Sequence, residues 1–192
     1  MTDKIKVGLI FGGNSSEYEV SIMSAHNIYE EIDTNKFDVY PMWITNDGYL
    51  ADDADSRRVL DNPKMEVANP HKVANISNIV ELKDRPEIDV FFPIVHGNLG
   101  EDGCLQGLFR VLDKPFVGDD VLAAAVTMDK EMTKILAQRA GVPVAKWIAV
   151  KRFEYNDPDN EKLDYEYVAS QLGSDLFVKP SNQGSSVGVS HV

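Results

Sequence analysis

Residues 5–44 read IKVGLIFGGNSSEYEVSIMSAHNIYEEIDTNKFDVYPMWI, and they indicate the fold class. An apolar, β-branched run ends in two glycines, a helical pattern follows, and residues 37–44 form a second apolar run. Ser16 and Glu19 have the spacing of a capping box at the start of the helix. Four apolar residues fall on one face of this helix: Ile22, Ala25, Tyr29 and Ile32. A strand, a crossover helix and a second strand favour a parallel sheet covered by helices, so the sequence predicts an α/β fold.

The predicted sheet continues at residues 89–97, DVFFPIVHG, which are typical of a strand buried on both faces. The next residues predict a helix that starts near Asp102 and stops before Pro115. Glu101 and Asp102 are expected to cap this helix or to orient the loop before it. The apolar face of the helix has i, i+3, i+4, i+7 spacing and consists of Leu105, Leu108, Phe109 and Leu112. Residues 46–86 are rich in Asp, Asn and Pro, and we interpret them as surface loops with at most one short helix.

The composition changes near residue 126, where we place a boundary between domains of residues 1–126 and 127–192. Two helical segments meet there, and Lys130 begins the second. Residues 144–150 are predicted to form a strand. A charged loop and a short amphipathic helix that ends at Gly173 follow.

Residues 177–192 read FVKPSNQGSSVGVSHV, in which Lys179 closes an apolar strand and a loop of Gly, Ser and amide residues follows. Glycines let backbone N–H groups turn towards an anion, and serines add hydroxyl donors. The residues concerned are Gly184, Ser185, Ser186 and Gly188. The loop differs from a Walker A loop, because its lysine precedes the glycines. Phosphate binding is one interpretation, and a flexible hairpin in which Gly and Ser merely avoid strain is the other.

The composition excludes several classes of protein. Nineteen basic and 31 acidic residues give a net charge of −12, which argues against a general nucleic-acid or anionic-membrane surface. Residues 5–11 are too short for a signal peptide, and the roughly 18 consecutive apolar residues of a membrane span are missing. We therefore expect a cytoplasmic protein without a nucleic-acid or membrane partner.

The single cysteine, Cys104, excludes an internal disulfide framework, and we interpret it as a small packing residue. The GG turn lacks the full G-x-G-x-x-G spacing, which disfavours a dehydrogenase.

Glu17 and His96 each follow a predicted strand, and ligands of open parallel sheets bind beyond the carboxyl ends of the strands. Glu17 could bind a substrate ammonium, or it could only stabilise the first turn of a helix through the macrodipole. His96 could contact a substrate carboxylate, or it could be an ordinary polar residue at a strand end. Lys130 could reach a nucleotide phosphate, or it could be a solvated helix lysine.

Four segments resemble, in order, the motifs of the D-alanine–D-alanine ligases of the ATP-grasp superfamily: GGNSSEYEVS, VHGNLGEDGCLQG, TMDKEMTK and FVKPSNQGSSVGVS. The resemblance runs along the whole chain, although Tyr18 replaces a residue that is frequently basic. It implies that residues 1–126 form a substrate-binding, Rossmann-like domain with a parallel sheet, the pre-ATP-grasp domain. Residues 127–192 would then begin an α+β ATP-grasp central domain.

The resemblance also implies roles for individual residues. Glu17 and His96 would hold the first D-alanine, and Ser185 would join Glu17 in a hydrogen-bonded catalytic set. The residues expected to bind ATP are Lys130, Lys179, Gly184, Ser185 and Ser186.

The implied reaction joins two D-alanines through an acyl phosphate, for peptidoglycan precursors, with ATP, Mg²⁺ and a homodimeric enzyme. We expect this chain to be an N-terminal fragment that is inactive alone, with the Mg²⁺ ligands in a C-terminal part, so no metal ligand is assigned here. Three alternatives remain. They are a D-alanine–D-lactate ligase, another ATP-grasp carboxylate–amine ligase, and a non-catalytic module that binds a nucleotide or an amino acid.

Overall fold

A five-stranded sheet lies at the centre of the first of two units into which the structure, a computed structural model, divides. The units are Met1–Ala125 and Val126–Val192. The domain boundary and roles predicted for residues 1–126 and 127–192 stay predictions. The residues that the structure describes are 3–65, 67, 69–75, 88–157 and 159–192.

The sheet has the strand order β4-β3-β2-β1-β5. Its strands are β1 (Ile5–Gly12), β2 (Phe37–Ile44), β3 (Tyr49–Ala51), β4 (Lys72–Asn75) and β5 (Val90–Pro93). The central strand β1 pairs in parallel with both β2 and β5, which confirms the α/β fold and its βαβ unit. Strands β3 and β4 extend the sheet in antiparallel orientation.

Two apolar clusters cover opposite faces of the sheet, because alternate residues of a strand point to opposite sides. Ile10 belongs to a cluster with Leu105 and Phe109, whereas Leu9 belongs to one with Ile22 and Ala25. The helices of the first unit are α1 (Tyr18–Glu31), α2 (Asp53–Asp61) and α3 (Cys104–Val111), and a fourth helix, α4 (Val121–Met128), includes the boundary at residue 126. The predicted apolar faces of α1 and α3 therefore form the core, and both helices were predicted with the correct type.

Three sequence expectations about the first unit are corrected. The capping box is wrong, because α1 begins at Tyr18 and its N-cap is Glu17, which makes no side-chain cap hydrogen bond. Within residues 46–86 the expected short helix is present, but the strands Tyr49–Ala51 and Lys72–Asn75 were missed. Residues 66, 68 and 76–86 of that segment lie outside the described part. Cys104 is exposed, so its interpretation as a packing residue is wrong.

The second unit contains α5 (Lys130–Arg139), a short 3-10 helix (Glu161–Leu163), α6 (Tyr165–Leu172) and an antiparallel pair of strands. These strands are β6 (Phe177–Val178) and β7 (Ser190–His191). Helix α6 ends at Gly173, whose φ of 99° suits glycine, as predicted. No strand covers residues 144–150, so that prediction is wrong. A β-prone sequence forms a strand only where a partner completes the ladder of hydrogen bonds.

The two units differ in burial. The buried hydrophobic residues lie between Val7 and Ala124, and none of the described residues of 126–192 is buried. Among the residues that the structure describes, no helix has the length and apolar character needed to cross a bilayer.

Candidate functional site

Ser21 fixes helix α1 at the edge of the sheet where β1 and β5 end. Its buried hydroxyl accepts a hydrogen bond from Gly12 N (2.8 Å) and donates one to Ile94 O (2.6 Å). Because β1 and β5 are parallel neighbours, their carboxyl ends lie at the same edge. The start of α1 and the loop after β5 are thereby held side by side.

The structure brings Glu17 and His96 to this edge, as the sequence predicted. Ser15 joins their backbones, since its Oγ donates to His96 O (2.8 Å) and accepts from Glu17 N (3.2 Å). Gly97 has a φ of 73°, and a Cβ atom placed there would lie 2.8 Å from Glu17 Oε2. The carboxylate of Glu17 therefore lies directly against the backbone of the residue that follows His96.

The imidazole of His96 is held from both of its nitrogens. Ser24 Oγ lies 3.1 Å from Nε2, and Glu101 Oε1 lies 3.7 Å from Nδ1. The side chain of His96 remains 26% exposed, so a ligand can approach the ring. Glu101 also accepts a hydrogen bond from Gly97 N (2.7 Å) through Oε2, which fixes the loop that carries the histidine.

Asp102 orients the same loop, and this confirms the role expected for Glu101 and Asp102. Its carboxylate accepts hydrogen bonds from Leu99 N (2.9 Å) and Cys104 N (3.0 Å). The neighbouring Asp102 side chain and partial burial raise the pKa of the Cys104 thiol. A raised pKa disfavours the reactive thiolate, which argues against a role of Cys104 as a nucleophile.

A carboxylate against the residue that follows a histidine suits a small zwitterion. Glu17 can pair with an ammonium group, and a ring N–H of His96 can donate to a carboxylate, while Ser15 holds the two backbones and Ser24 contacts the ring. We call the group of Ser15, Glu17, Ser24, His96, Gly97 and Glu101 the Glu17–His96 site.

The other predicted site residues lie in the second unit. Lys130 is the first residue of α5; its N–H donates to Ser181 O (3.1 Å). Its ammonium contacts Ser181 O (3.4 Å) and Gln183 O. Lys179 follows β6 and is exposed, with its Nζ 5.7 Å from the centre of the Phe177 ring. The lysine predicted to close the strand therefore does so, and its charge faces solvent.

Residues 179–189, here named the glycine-rich loop, contain two consecutive turns. Val187 N donates to Gly184 O (3.0 Å), and Val189 N donates to Ser186 O (3.2 Å). Ser185 (φ 47°) and Ser186 (φ 61°) are the central residues of the first turn. Two positive φ angles in succession are typical of a type I′ turn, which usually contains Asn and Gly.

Ser185 and Ser186 have a left-handed backbone conformation, which is unfavourable for residues with a side chain. A left-handed conformation costs a residue with a Cβ atom roughly 1–2 kcal/mol. Such strain is concentrated at functional positions in proteins. Gly188 also has a positive φ angle (70°), but as a glycine it adopts this conformation without strain. A Cβ atom at this position would lie 2.8 Å from Pro180 Cγ. The turn presents the exposed residues Ser185 and Ser186 at its tip.

Asp129 connects α5 to the glycine-rich loop. Its Oδ1 accepts from Glu131 N (2.9 Å), Met132 N (3.0 Å) and Ser181 Oγ (3.0 Å), and its Oδ2 accepts from Asn182 Nδ2 (3.3 Å). The hydrogen bond from Met132 N–H is the main cause that lowers the pKa of Asp129, opposed by partial desolvation and assisted by Ser181.

The second unit therefore contains groups that fit a nucleotide phosphate: two lysines and an exposed, hydroxyl-bearing turn. Glu17 lies in one unit and Ser185 in the other, and their hydrogen-bonded catalytic set stays a prediction. The described residues contain no group of three or more His, Cys, Asp or Glu that could hold a metal ion, and no metal ligand is assigned among them.

Sequence reasoning missed several supporting residues. Ser21 and Ser24 lie four and seven positions after Glu17, which places all three on one helical face, and this spacing was the available signal. Asp129 directly precedes the first helical residue Lys130, where an N-cap is expected. The contacts of Ser15 with His96 O and of Asp129 with Ser181 join residues far apart in the chain and left no local signal.

Comparison with known proteins agrees with these observations. The family model described as D-ala D-ala ligase N-terminus matches residues 6–119, and the model described as D-ala D-ala ligase C-terminus matches residues 136–192. The D-alanine–D-alanine ligase of Lactobacillus johnsonii is 99% identical over 192 residues, which are 100% of this chain and 53% of that protein. The chain thus spans about half the length of the curated relatives that it matches.

Solved structures agree as well. The D-alanine–D-alanine ligase of Coxiella burnetii has a TM-score of 0.76 at 31% identity, over 98% of this chain and 56% of that one. The VanG D-Ala:D-Ser ligase of Enterococcus faecalis has a TM-score of 0.71 at 32% identity, over 98% of this chain and 55% of that one. On the sequence matches and the shared fold, the chain belongs to the D-alanine–D-alanine ligase family.

Proposed function

We propose that this chain supplies the first-substrate site and part of the nucleotide site of a ligase that joins two D-alanines at the expense of ATP. The carboxylate of the first D-alanine attacks the γ-phosphoryl group of ATP, and the amine of the second displaces phosphate from the acyl phosphate. The adjacency of Glu17 and His96 at the carboxyl edge of the sheet carries the proposal.

The Glu17–His96 site binds the first D-alanine in this proposal. Glu17 pairs with the ammonium group, and His96 pairs with the carboxylate. Gly97 supports this arrangement, because a side chain at that position would meet the Glu17 carboxylate. Positioning of the substrate carboxylate is a large part of catalysis here, since the phosphoryl transfer requires mainly alignment and charge stabilisation.

Lys130, Lys179 and the glycine-rich loop bind the ATP phosphates. Lys179 is available at the end of β6, and Lys130 would exchange loop carbonyls for phosphate oxygens. Gly184, Ser185 and Ser186 close over the phosphates, and Ser185 joins Glu17 in the catalytic set. Val187 N and Val189 N already bond within the turns, so other donors of the loop must contact the anion.

Family membership further supports the use of Mg²⁺ with ATP, a cytoplasmic location and a homodimer as parts of the proposal. No metal ligand is assigned among the described residues.

The test uses residues 1–192 completed by the remainder of the Lactobacillus johnsonii relative, here named the completed ligase. Phosphate release from Mg-ATP is measured with D-alanine, with L-alanine, and with D-alanine plus D-serine or D-lactate. Release with D-alanine alone, but not with L-alanine, is expected. Release only after D-serine or D-lactate is added would show that this compound, and not D-alanine, is the second substrate. D-serine is included because the chain is similar to a D-Ala:D-Ser ligase. No release at all would refute the proposal.

Two variants test the Glu17–His96 site. Glu17→Gln should raise the KM for D-alanine at least tenfold while the KM for ATP changes less than twofold, since one ion pair is lost. Glu19→Gln is the matched control, because Glu19 is exposed in the first turn of the same helix. Equal effects of both variants would show that only the charge at the helix start matters.

A further inference from the structure

Asp129 makes more hydrogen bonds than a helix cap requires. Two of its four partners are the N–H groups of Glu131 and Met132 at the start of α5. The other two are the side chains of Ser181 and Asn182, about fifty positions further along the chain. One carboxylate therefore serves both the helix and the glycine-rich loop.

Other capping aspartates of this protein provide a comparison. Asp164 caps α6 by accepting from Tyr167 N (2.8 Å). Asp52 caps α2 by accepting from Asp55 N (2.7 Å), and its other oxygen lies 3.3 Å from His71 Nδ1 rather than against a loop backbone or hydroxyl. A side-chain oxygen that accepts one helix N–H already provides the usual stabilisation of an N-cap. The contacts from Asp129 to Ser181 and Asn182 thus serve a further purpose.

The same two segments meet again at Lys130. Its N–H and its ammonium both contact Ser181 O, and the ammonium also contacts Gln183 O. Residues 181–183 are consequently held between an anion, Asp129, and a cation, Lys130, on consecutive positions of the chain. The loop cannot shift relative to α5 without breaking charge-assisted hydrogen bonds, which are about twice as strong as neutral ones.

We propose that Asp129 is a positioning residue for nucleotide binding: it holds the start of the glycine-rich loop in register with Lys130. This inference rests on the proposed function, because it assigns to that loop and lysine a shared ligand, the phosphate groups of ATP. Asp129 itself contacts Ser181 and Asn182, and it acts on the nucleotide only through them. A cation-flanked loop held in one position loses less conformational freedom when it binds an anion, which strengthens binding.

The experiment, done in the completed ligase, separates the two roles of Asp129. These are the tether, its contacts with Ser181 and Asn182, and the cap, its contacts with the helix N–H groups. Ser181→Ala removes a loop contact and leaves both helix N–H contacts of Asp129 in place. Asp164→Ala is the control. It removes the N-cap of α6 in the same unit, and the cap contact of Asp164 is with Tyr167 N rather than with the glycine-rich loop. Three quantities are measured for each variant: the KM for ATP, the KM for D-alanine, and the amide hydrogen exchange of residues 181–189 without nucleotide.

Ser181→Ala is expected to raise the KM for ATP about tenfold, to leave the KM for D-alanine within twofold, and to accelerate exchange in the loop. Asp164→Ala should lower the thermal midpoint and change neither the KM for ATP nor the exchange of the loop. Asp129→Ala should combine both losses. Asp129→Asn should recover most of the ATP affinity, because one amide oxygen still accepts from the helix and from Ser181.

An unchanged KM for ATP in Ser181→Ala, or the same change in Asp164→Ala, would overturn the inference while leaving the proposed function intact. A parent protein that releases no phosphate from ATP would refute the proposed function instead. In that case the exchange data still decide the positioning role. Loop exchange that rises in Ser181→Ala alone supports the tether, and exchange that does not change refutes it.

Discussion

Replacing Ser21 by alanine should destabilise the first unit strongly. The hydroxyl is fully buried, with 0% exposure, and it joins Gly12 N (2.8 Å) to Ile94 O (2.6 Å). Leaving one buried polar group without its partner costs about 1–3 kcal/mol, and here two groups lose a partner. Allowing for some relaxation of the backbone, we expect a loss of about 2–4 kcal/mol in the free energy of unfolding.

Urea unfolding followed by tryptophan fluorescence measures this loss. Trp43 is buried in the first unit, and a Trp147→Phe background removes the signal of the second unit. With a urea dependence of about 2 kcal/mol per M, the midpoint should fall by about 1–2 M.

Ser16→Ala is the matched control for Ser21→Ala. Ser16 is exposed and lies outside the cap of α1, so its loss should change the free energy by less than about 0.5 kcal/mol. A functioning capping box would instead cost about 1 kcal/mol. The reasoning fails if Ser21→Ala unfolds within 0.5 kcal/mol of its parent, or if Ser16→Ala is equally costly.

Three further outcomes are expected. Lys179→Ala should lower the ATP-dependent turnover of the completed ligase by about a hundredfold, because a charge on the phosphates is lost, while the thermal midpoint stays unchanged for this exposed residue. Wild-type turnover or unfolding would contradict that role. Gly97→Ala should raise the KM for D-alanine and destabilise by about 1–2 kcal/mol, since its φ of 73° disfavours a Cβ that would also meet Glu17 Oε2. Gly107→Ala, the control in α3 with nothing within 4 Å of the new Cβ, should stabilise by up to about 1 kcal/mol in urea unfolding. The lowered pKa of Asp129 means that its stabilising contribution is complete above the ordinary value of about 3.9 and disappears as the pH falls through the lowered pKa. Urea midpoints between pH 6 and pH 3 should therefore fall less for Asp129→Asn than for the parent, and parallel curves would argue against this titration.

Long periodic segments of this chain were predictable from sequence. The strand Phe37–Ile44 was predicted to the residue, and the apolar faces of α1 and α3 were identified correctly. The strands Tyr49–Ala51 and Lys72–Asn75 were missed, because three or four residues carry almost no period. The strand predicted at residues 144–150 is absent for the opposite reason. The composition of this segment suits a strand, but its pairing with a neighbouring strand depends on distant parts of the chain.

In the candidate site, too, some features followed from the sequence and others depended on distant contacts. The positions of Glu17 and His96 followed from the topology of the sheet, since a residue after a parallel strand lies at its carboxyl edge. The hydroxyl of Ser24 beside the histidine and the carboxylate of Asp129 beside Ser181 depend on contacts across 72 and 52 positions. No local pattern encodes such contacts.

The unequal burial of the two units has a thermodynamic consequence. In the isolated chain, the described residues of 126–192 include none that are buried, so hydrogen bonds such as those of Asp129 stabilise this part more than an apolar core does. Segments of this kind open at low free-energy cost. A ligand that binds only the ordered form adds its binding free energy to that order. If the glycine-rich loop binds ATP as proposed, the nucleotide should therefore slow amide hydrogen exchange of this loop in the isolated chain.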